Sequence, residues 1–592
     1  MELIKRLLKY YRPYAFGIII TSLVVIIGQS LVIFTSYMLG RSMDAILVLK
    51  NWDTFIICAS VYGIAKFIDS PILAALKEYL RERLVKHEIP NDARAIALKK
   101  YCSMSGRQHK DNNFLLSSTV IQEGIDAIIS LENNMFYVCV PLISYSIVMF
   151  GLLLVTNKSY FVITLIMSVI FIYESYRINE KIFPRLKRLR TKRQHIRGKK
   201  FRENLLNINL IQINGQEDKV VNDCIKDDLE VSKEEIGIWD WYRLHTIPRS
   251  GVLSLGQSIL LIVGGKMIFD GQITCGGFIM TWTCVEGIFA QLWNLGGLFR
   301  NTIDQLTNVE SFFKFLDLEP GLKNGDKKII FESSPKIEFR NVSYVYTPVD
   351  SLDKTRAEQA TKSALNNINL TIEPNEIIGI VGHSGAGKTT FIDLLLRFDD
   401  PTSGKILIND HDLRELDQTT YKHQIGCVTQ RHELFDQSFK ANILFPLNGQ
   451  AENFTDKDIY DLCKLTRIDD VIDRYPEKLN ARVGDRAKNL SGGEMQRLSI
   501  ARMLSKKPKL IILDEATASL DADNEVHIQN VIRETSKNRT TIIIAHRIST
   551  LRFVDRIIVI DKGEISDIGK HDELVERNDI YRELVNKQQI SL

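Results

Sequence analysis

Ile377-Ile378-Gly379-Ile380-Val381-Gly382-His383-Ser384-Gly385-Ala386-Gly387-Lys388-Thr389 is the stretch on which the reading of this chain turns. Its first five residues have the composition of a buried strand, and they run without a break into a G-x-x-x-x-G-K-T loop. An apolar segment, Phe391 to Leu396, follows, as a helix packed on that strand requires. Glycines let the backbone curl around a phosphate with its N–H groups pointing inward, and a helix N-terminus favours negative charge. Lys388 would then meet the β and γ phosphates and Thr389 would offer a hydroxyl to Mg²⁺, with Gly382, Ser384, Gly385, Ala386, Gly387 and Thr390 completing the cradle. Alone, this loop says only that a nucleotide binds.

Further along, a second apolar strand, Leu510 to Leu513, ends in Asp514-Glu515. A strand end in that position sets Asp514 to hold Mg²⁺ and Glu515 to polarise an attacking water. A third strand, Ile542 to Ala545, ends in His546. A single histidine of this kind is more often structural than catalytic, but beside the other two strand ends it reads as a γ-phosphate contact. Leu490-Ser491-Gly492-Gly493-Glu494 opens a helix that continues through Gln496, Arg497 and Ala501, which makes a second anion-binding helix start. The first loop already holds the phosphates, so this one serves something else.

Upstream the pattern changes. The chain has 592 residues, room for two or more cored units, and its 45% hydrophobic content is unevenly spread. Long uncharged runs fill the first part, and a span needs about 20 mostly apolar residues to cross the hydrocarbon. Six stretches qualify, near 15–40, 54–78, 135–156, 159–178, 249–270 and 277–299. Short connections follow spans one, three and five, whereas long ones follow spans two and four. The long ones carry the basic residues, most densely from Lys181 to Arg202, so they and both chain ends are expected in the cytoplasm.

A net charge of +4 is too small for a nucleic-acid protein, and no nucleic-acid partner is expected. The eight cysteines form no C-x-x-C pair and imply neither a zinc site nor a disulfide framework. Charges inside spans cost several kcal/mol unless paired or wetted, on the order of 2.5–3.5 each. Lys66 and Asp69, three apart in span two, are expected to neutralise each other. In span six Thr283, Glu286 and Trp293 share a stripe, and two readings stand: Glu286 and Trp293 line a wet cavity that faces cargo, or Glu286 sits near an interface.

The order of G-x-x-x-x-G-K-T, Gln430, LSGGE, LIILDEATASLD and His546 resembles the ATP-binding cassette proteins, and its fusion behind six spans resembles the exporter type of ABC half-transporter. The resemblance implies a membrane α-helical bundle of six transmembrane helices (1–317), a linker (318–335) and an α/β P-loop cassette (336–592). It implies ATP and Mg²⁺ as cofactors, with Thr389, Gln430 and Asp514 around the metal, Tyr346 stacked on adenine, and Glu515 and His546 as catalytic groups. It also implies a partner. Two cassettes would meet head to tail, so that Ser491, Gly492, Gly493 and Glu494 of one subunit close over ATP held by the other, with Asp521 communicating across the dimer.

The segments Asn113 to Ser118 and Asn209 to Gly215 align with coupling helices. The expected function is ATP-driven export by a dimer, preferably of two identical copies, in the bilayer of a bacterial cell membrane. The end of span six, Trp293 to Gln305, resembles exporters of peptides and of glutathione-linked metal species, which implies a peptide or amphipathic small molecule as cargo; the alternatives are a lipid or multidrug flippase, or an importer built on the exporter fold. The chain departs from the family pattern in three places. Glu494 stands where Gln is usual, Arg482 stands where an acidic residue is usual, and a polar insertion fills Val349 to Lys362 without an assignable role.

Overall fold

In the computed structural model the chain divides into two compact units, Met1–Cys102 with Phe114–Leu318, and Ser103–Asn113 with Glu319–Leu592. The structure describes residues 2–110, 114–193, 200–346, 363–447, 449, 451–484, 489–516, 522–545 and 547–589. The insertion at Val349 to Lys362 lies outside them.

The first unit is helical. Lys5–Leu47, Trp52–Arg81, Lys158–Arg190 and Glu217–Phe269 are long and apolar enough to cross a membrane, Val140–Thr156 is a shorter apolar helix, and Cys275–Asp317 is a further long one. Their inward faces share a core that includes Ile33, Tyr145, Met149, Phe171, Leu253 and Val285. Many large apolar side chains, such as Ile19, Leu23, Phe34, Ile166 and Ile262, point outward instead. A soluble unit would not expose so much apolar surface, whereas lipid solvates it. Two polar contacts tie helices of the bundle together: the Tyr160 hydroxyl donates to the Leu260 carbonyl at 2.7 Å, and Asp44 accepts from the Gly276 N–H at 2.8 Å. The second of these places a carboxylate at the positive start of Cys275–Asp317.

Part of the basic run after span four is paired with acidic residues of the next helix. Lys192 pairs with Glu230 and Glu234, Arg193 with Glu235, and Lys200 with Asp227. The expected Lys66–Asp69 pair does not form. A π-helical segment, Ile68–Leu73, begins between the two residues and contains Pro71. Its wider turn destroys the three-residue stacking, and Asp69 instead faces Gly28.

The second unit is built on two sheets. One is antiparallel, in the order β2 (Ser363–Ile372), β1 (Ile337–Val345), β4 (Ser403–Ile408), β5 (His411–Asp412). The other runs β10 (Glu564–Gly569), β9 (Arg556–Asp561), β3 (Ile377–Val381), β8 (Thr540–Ile544), β7 (Leu510–Asp514), β6 (Ile425–Val428). In it β3 lies parallel to β8 and β9, and β7 parallel to β6 and β8. Side chains alternate between two cores: Leu510 and Ile512 enter the one shared with the antiparallel sheet, Ile511 and Leu513 the one on the opposite face. Burial on both faces explains why these strands read as unbroken apolar runs.

A third core holds a helical subdomain around Phe439, Ile459, Val471 and Leu498. The helix Gly492–Ser505 joins two of these cores, because Leu498 and Ala501 pack in the subdomain while Ile500 and Met503 pack against the sheet. The segment after Glu319 is pinned to the same unit: Lys327 N–H donates to the Glu415 carbonyl at 3.0 Å, and Asp417 N–H donates back to Lys327 at 2.8 Å.

Candidate functional site

The site lies where the parallel sheet's central strands end. After β3 the chain turns at Gly382, where any Cβ would sit 2.1 Å from the Ile560 carbonyl oxygen. It turns again at Gly387, whose φ of +110 and whose proximity to the Ala364 carbonyl, 2.5 Å from a built Cβ, together exclude a side chain. Helix Lys388–Leu395 starts there without a side-chain cap. Lys388 is buried, and its ammonium donates to the carbonyls of Gly382 at 2.8 Å and His383 at 2.9 Å. Burial lowers its pKa, against the pull of Glu515 and Asp514. Ser384, Gly385 and Thr389 are exposed at the mouth of the loop, while Ala386 and Thr390 are buried beneath it.

Strand β7 delivers the carboxylates. Asp514 is its last residue and is buried; Glu515 follows in a left-handed conformation, φ +53, that non-glycine residues avoid at a cost of about 1–2 kcal/mol. Hydrogen bonds from separate elements hold it. Its N–H donates to the Ile544 carbonyl at 3.0 Å, its Oε2 accepts from Gln430 Nε2 at 3.1 Å, and its carbonyl accepts from Gln496 Nε2 at 3.4 Å. Phosphate loop, Asp514, Glu515 and Gln430 thus share one edge of the sheet, as the sequence reading expected. His546 and Asp521 lie outside the described residues.

Tyr346 follows β1 and is 43% exposed. Its hydroxyl meets Thr390 Oγ1 at 3.0 Å, which ties it to the phosphate-loop helix, and its ring lies edge-on to Tyr344 at 5.0 Å. The Tyr344 hydroxyl donates to Asp399, and the same carboxylate oxygen accepts from Arg107 Nη1 at 3.2 Å. Burial first, and then the bond to Asp399, pushes the Tyr344 phenol well above its ordinary pKa. Arg107 belongs to the short helix Gly106–Lys110, within the segment Ser103–Asn113 that clusters with the cassette. The first coupling segment that the family resemblance implies is Asn113 to Ser118, of which Asn113 lies outside the described residues. In the structure Phe114–Leu116 is a 3₁₀ turn and Ser117 caps the next helix, both in the other unit. No motif marks Arg107, because its acidic partner is about 290 positions away.

The second helix start, Gly492–Ser505, is capped by Ser491 and Glu494. Ser491 Oγ accepts from the Glu494 N–H at 3.3 Å, and Glu494 Oε2 accepts from the Ser491 N–H at 2.7 Å. Glu494 also takes Arg474 Nη1 at 2.8 Å. Burial alone would raise this carboxyl; the serine bonds and Arg474 outweigh it and hold the pKa below the ordinary range. Ser491 and Gly492 are exposed, Gly493 and Glu494 partly so. Arg482, the other departure from pattern, is fixed locally: it donates to the Asp436 carbonyl at 2.9 Å and to its carboxylate at 3.1 Å.

Glu286 and Trp293 are exposed on Cys275–Asp317, together with Ala290 and Asn294, opposite a buried stripe of Val285, Ile288, Phe289 and Leu292.

Comparison with known proteins agrees with this architecture. A family model for the ABC transporter transmembrane region matches residues 18–292, and one for the ABC transporter matches 365–518. The chain is 28% identical over 603 residues to a putative multidrug export ATP-binding/permease protein of Staphylococcus aureus, covering 99% of this chain and 100% of that one. It is 37% identical over 334 residues to an ATP-dependent lipid A-core flippase of Syntrophus aciditrophicus, a match that spans 56% of this chain and about half, 52%, of the flippase. Among solved structures, a bacterial Atm1-family ABC exporter with ATP bound superposes with a TM-score of 0.80 at 24% identity, covering 98% of both chains. The chain belongs to the ABC transporters, as a half-transporter in which a transmembrane region is fused to an ATP-binding cassette.

Proposed function

We propose that two copies of this chain form an exporter that moves a peptide or amphipathic small molecule out of the cytoplasm at the expense of ATP. The observation that carries the reading is the gathering of Lys388, Asp514, Glu515 and Gln430 at one sheet edge, with Gln430 touching Glu515 at 3.1 Å. In this reading Tyr346 stacks on adenine and Lys388 leaves the Gly382 and His383 carbonyls to meet the β and γ phosphates. Glu515 orients a water and accepts its proton as the bond from the γ-phosphorus to the bridging oxygen breaks, releasing ADP and phosphate. His546 adds a contact to the γ-phosphate.

The hydroxyl of Thr389, the amide oxygen of Gln430 and the carboxylate of Asp514 are hard oxygen donors of the kind that suits Mg²⁺, and they would hold it. The metal would neutralise charge developing on the transferred phosphoryl group. Ser491, Gly492, Gly493 and Glu494 of the partner would seal the site, Asp521 would report across it, and Arg107 would carry the closure out of the cassette. Glu286 and Trp293 would line the cargo path. The basic residues of the long connections support placing the cassette and both termini in the cytoplasm of a bacterium.

The relatives, a multidrug exporter and a lipid A-core flippase by name, favour amphipathic cargo, with a lipid as the second reading. ATPase activity of the reconstituted protein, with uptake into inside-out vesicles measured for hydrophobic peptides, drugs and labelled lipids, tests the proposal. ATP-dependent uptake that Glu515→Gln abolishes is the expected result; ATPase with uptake of none of them, or uptake only into right-side-out vesicles, overturns it.

A further inference from the structure

Gln496 has no role in the scheme above, yet it touches the end of the strand that carries Glu515 from a helix outside the sheet. It is fully buried, and its Nε2 reaches the Glu515 carbonyl at 3.4 Å, near the long limit for a hydrogen bond. Its Oε1 is buried without a hydrogen-bond partner among the described residues. Leaving such an oxygen unpaired is costly, so an amide there calls for a function that an apolar side chain would not serve.

Two further bonds join Glu515 to the Ile544 carbonyl of β8 and to Gln430, just past β6, and both partners belong to the sheet and its loops. Gln496 alone of the three belongs to the helix that starts at Ser491. That helix is packed into the helical subdomain as well as onto the sheet: Leu498 and Ala501 are in the subdomain core, and Arg502 Nε donates to the Asn442 carbonyl at 2.9 Å. A few tenths of an ångström of helix displacement would tighten or break the contact to a residue whose left-handed backbone depends on being held.

From this we infer that Gln496 is a positioning residue that makes each subunit's signature helix set the geometry of that same subunit's Glu515. This inference rests on the head-to-tail dimer proposed above. There, the signature helix of a subunit covers its partner's ATP, while its Glu515 serves its own. Gln496 therefore links the two ATP sites: closure at one brings the catalytic carboxylate of the other into register.

The test is Gln496→Met, of similar shape but without the donor, in the full-length reconstituted protein. The expected result is a fall in kcat of tenfold or more with KM for ATP within twofold. Mixed dimers with two affinity tags then separate the directions. With Glu515→Gln in one subunit, only the other subunit's Glu515 turns over. Gln496→Met on the subunit with intact Glu515 should cost the full tenfold; on the Glu515→Gln subunit it should cost less than twofold. A signature residue that acted only on the ATP it covers would give the reverse pattern, and that result, or equal effects in both arms, overturns the inference. Gln496→Glu, which replaces the donor with an acceptor, should reproduce the pattern, and it decides the matter if Gln496→Met does not fold. Wild-type protein without ATPase would refute the proposed function instead.

Discussion

The cassette contains two helices that begin at glycine-rich turns, and they treat their N-termini in opposite ways. Lys388–Leu395 starts at Gly387 with no side-chain cap, and its lysine is folded onto backbone carbonyls of the preceding loop. Gly492–Ser505 starts inside a complete capping box, with a carboxylate at its third position and an arginine on that carboxylate. The first N–H groups of a helix need acceptors from outside it. The phosphate loop leaves them for an anion, whereas the signature turn supplies its own. In the proposed dimer the first is a binding site by itself, whereas the second must share a serine it already uses and binds only when a partner presents a phosphate.

That contrast breaks most visibly at the first loop. Lys388→Met should weaken ATP binding to a single subunit at least tenfold, as read by a fluorescent ATP analogue. Glu515→Gln should leave that binding intact while kcat falls by about 10²–10⁴, the usual worth of a positioned general base. Ser491→Ala should cost about 1 kcal/mol of stability through the lost cap and roughly tenfold in ATPase, but leave the single-subunit affinity unchanged. Equal loss of affinity in Lys388→Met and Ser491→Ala would show that the two helix starts are not the different devices described.

A smaller effect is expected beside the first loop. Asp399 holds both Tyr344 and Arg107, and Tyr344 buttresses Tyr346. Asp399→Asn keeps the shape but weakens both bonds, so KM for ATP should rise about threefold with kcat within twofold, the size expected for a partly exposed pair plus one hydrogen bond. If KM stays fixed while coupling of ATPase to cargo is lost, Asp399 serves Arg107 alone.

The difference between the two halves of the chain also decides what the sequence made legible. Phosphate loop, Asp514-Glu515 and LSGGE are contiguous, because a backbone cradle and a strand end are local structures, and they were readable residue by residue. The Arg107–Asp399–Tyr344 cluster joins three distant segments and leaves no local signal. Gln496 was visible as a helix residue, but its use depends on a carbonyl brought there by β7. In the membrane half, helix number and basic loops follow from hydropathy. The π turn at Ile68–Leu73 does not, and it undid the expected Lys66–Asp69 pair. Lipid accepts many apolar sequences, so the residues proposed to face cargo, Glu286 and Trp293, carry no spacing as strict as a phosphate imposes.

The smallest expected effect concerns the departure at Glu494. A carboxylate at the third helical position suits the helix dipole, yet in the proposed dimer it sits where the partner's phosphate would approach, and like charges there oppose binding. Arg474, itself 63% exposed, offsets that charge at 2.8 Å. Because the Glu494 pKa is held below the ordinary carboxylate range, the charge is present throughout pH 6–8 and is lost only in acid, as pH falls through that lowered value. Arg474→Ala should therefore raise KM for ATP about two- to threefold at neutral pH, within the 0.2–1 kcal/mol measured for exposed pairs at about 25 °C. Glu494→Gln can still cap Ser491 and removes the charge, so it should leave KM at or slightly below the wild-type value. If Arg474 acts only through Glu494, the double variant matches Glu494→Gln rather than adding the two effects. A double variant as impaired as Arg474→Ala would mean that the arginine contacts the partner's nucleotide directly, and that the signature turn binds phosphate with a cation of its own, as the first loop does.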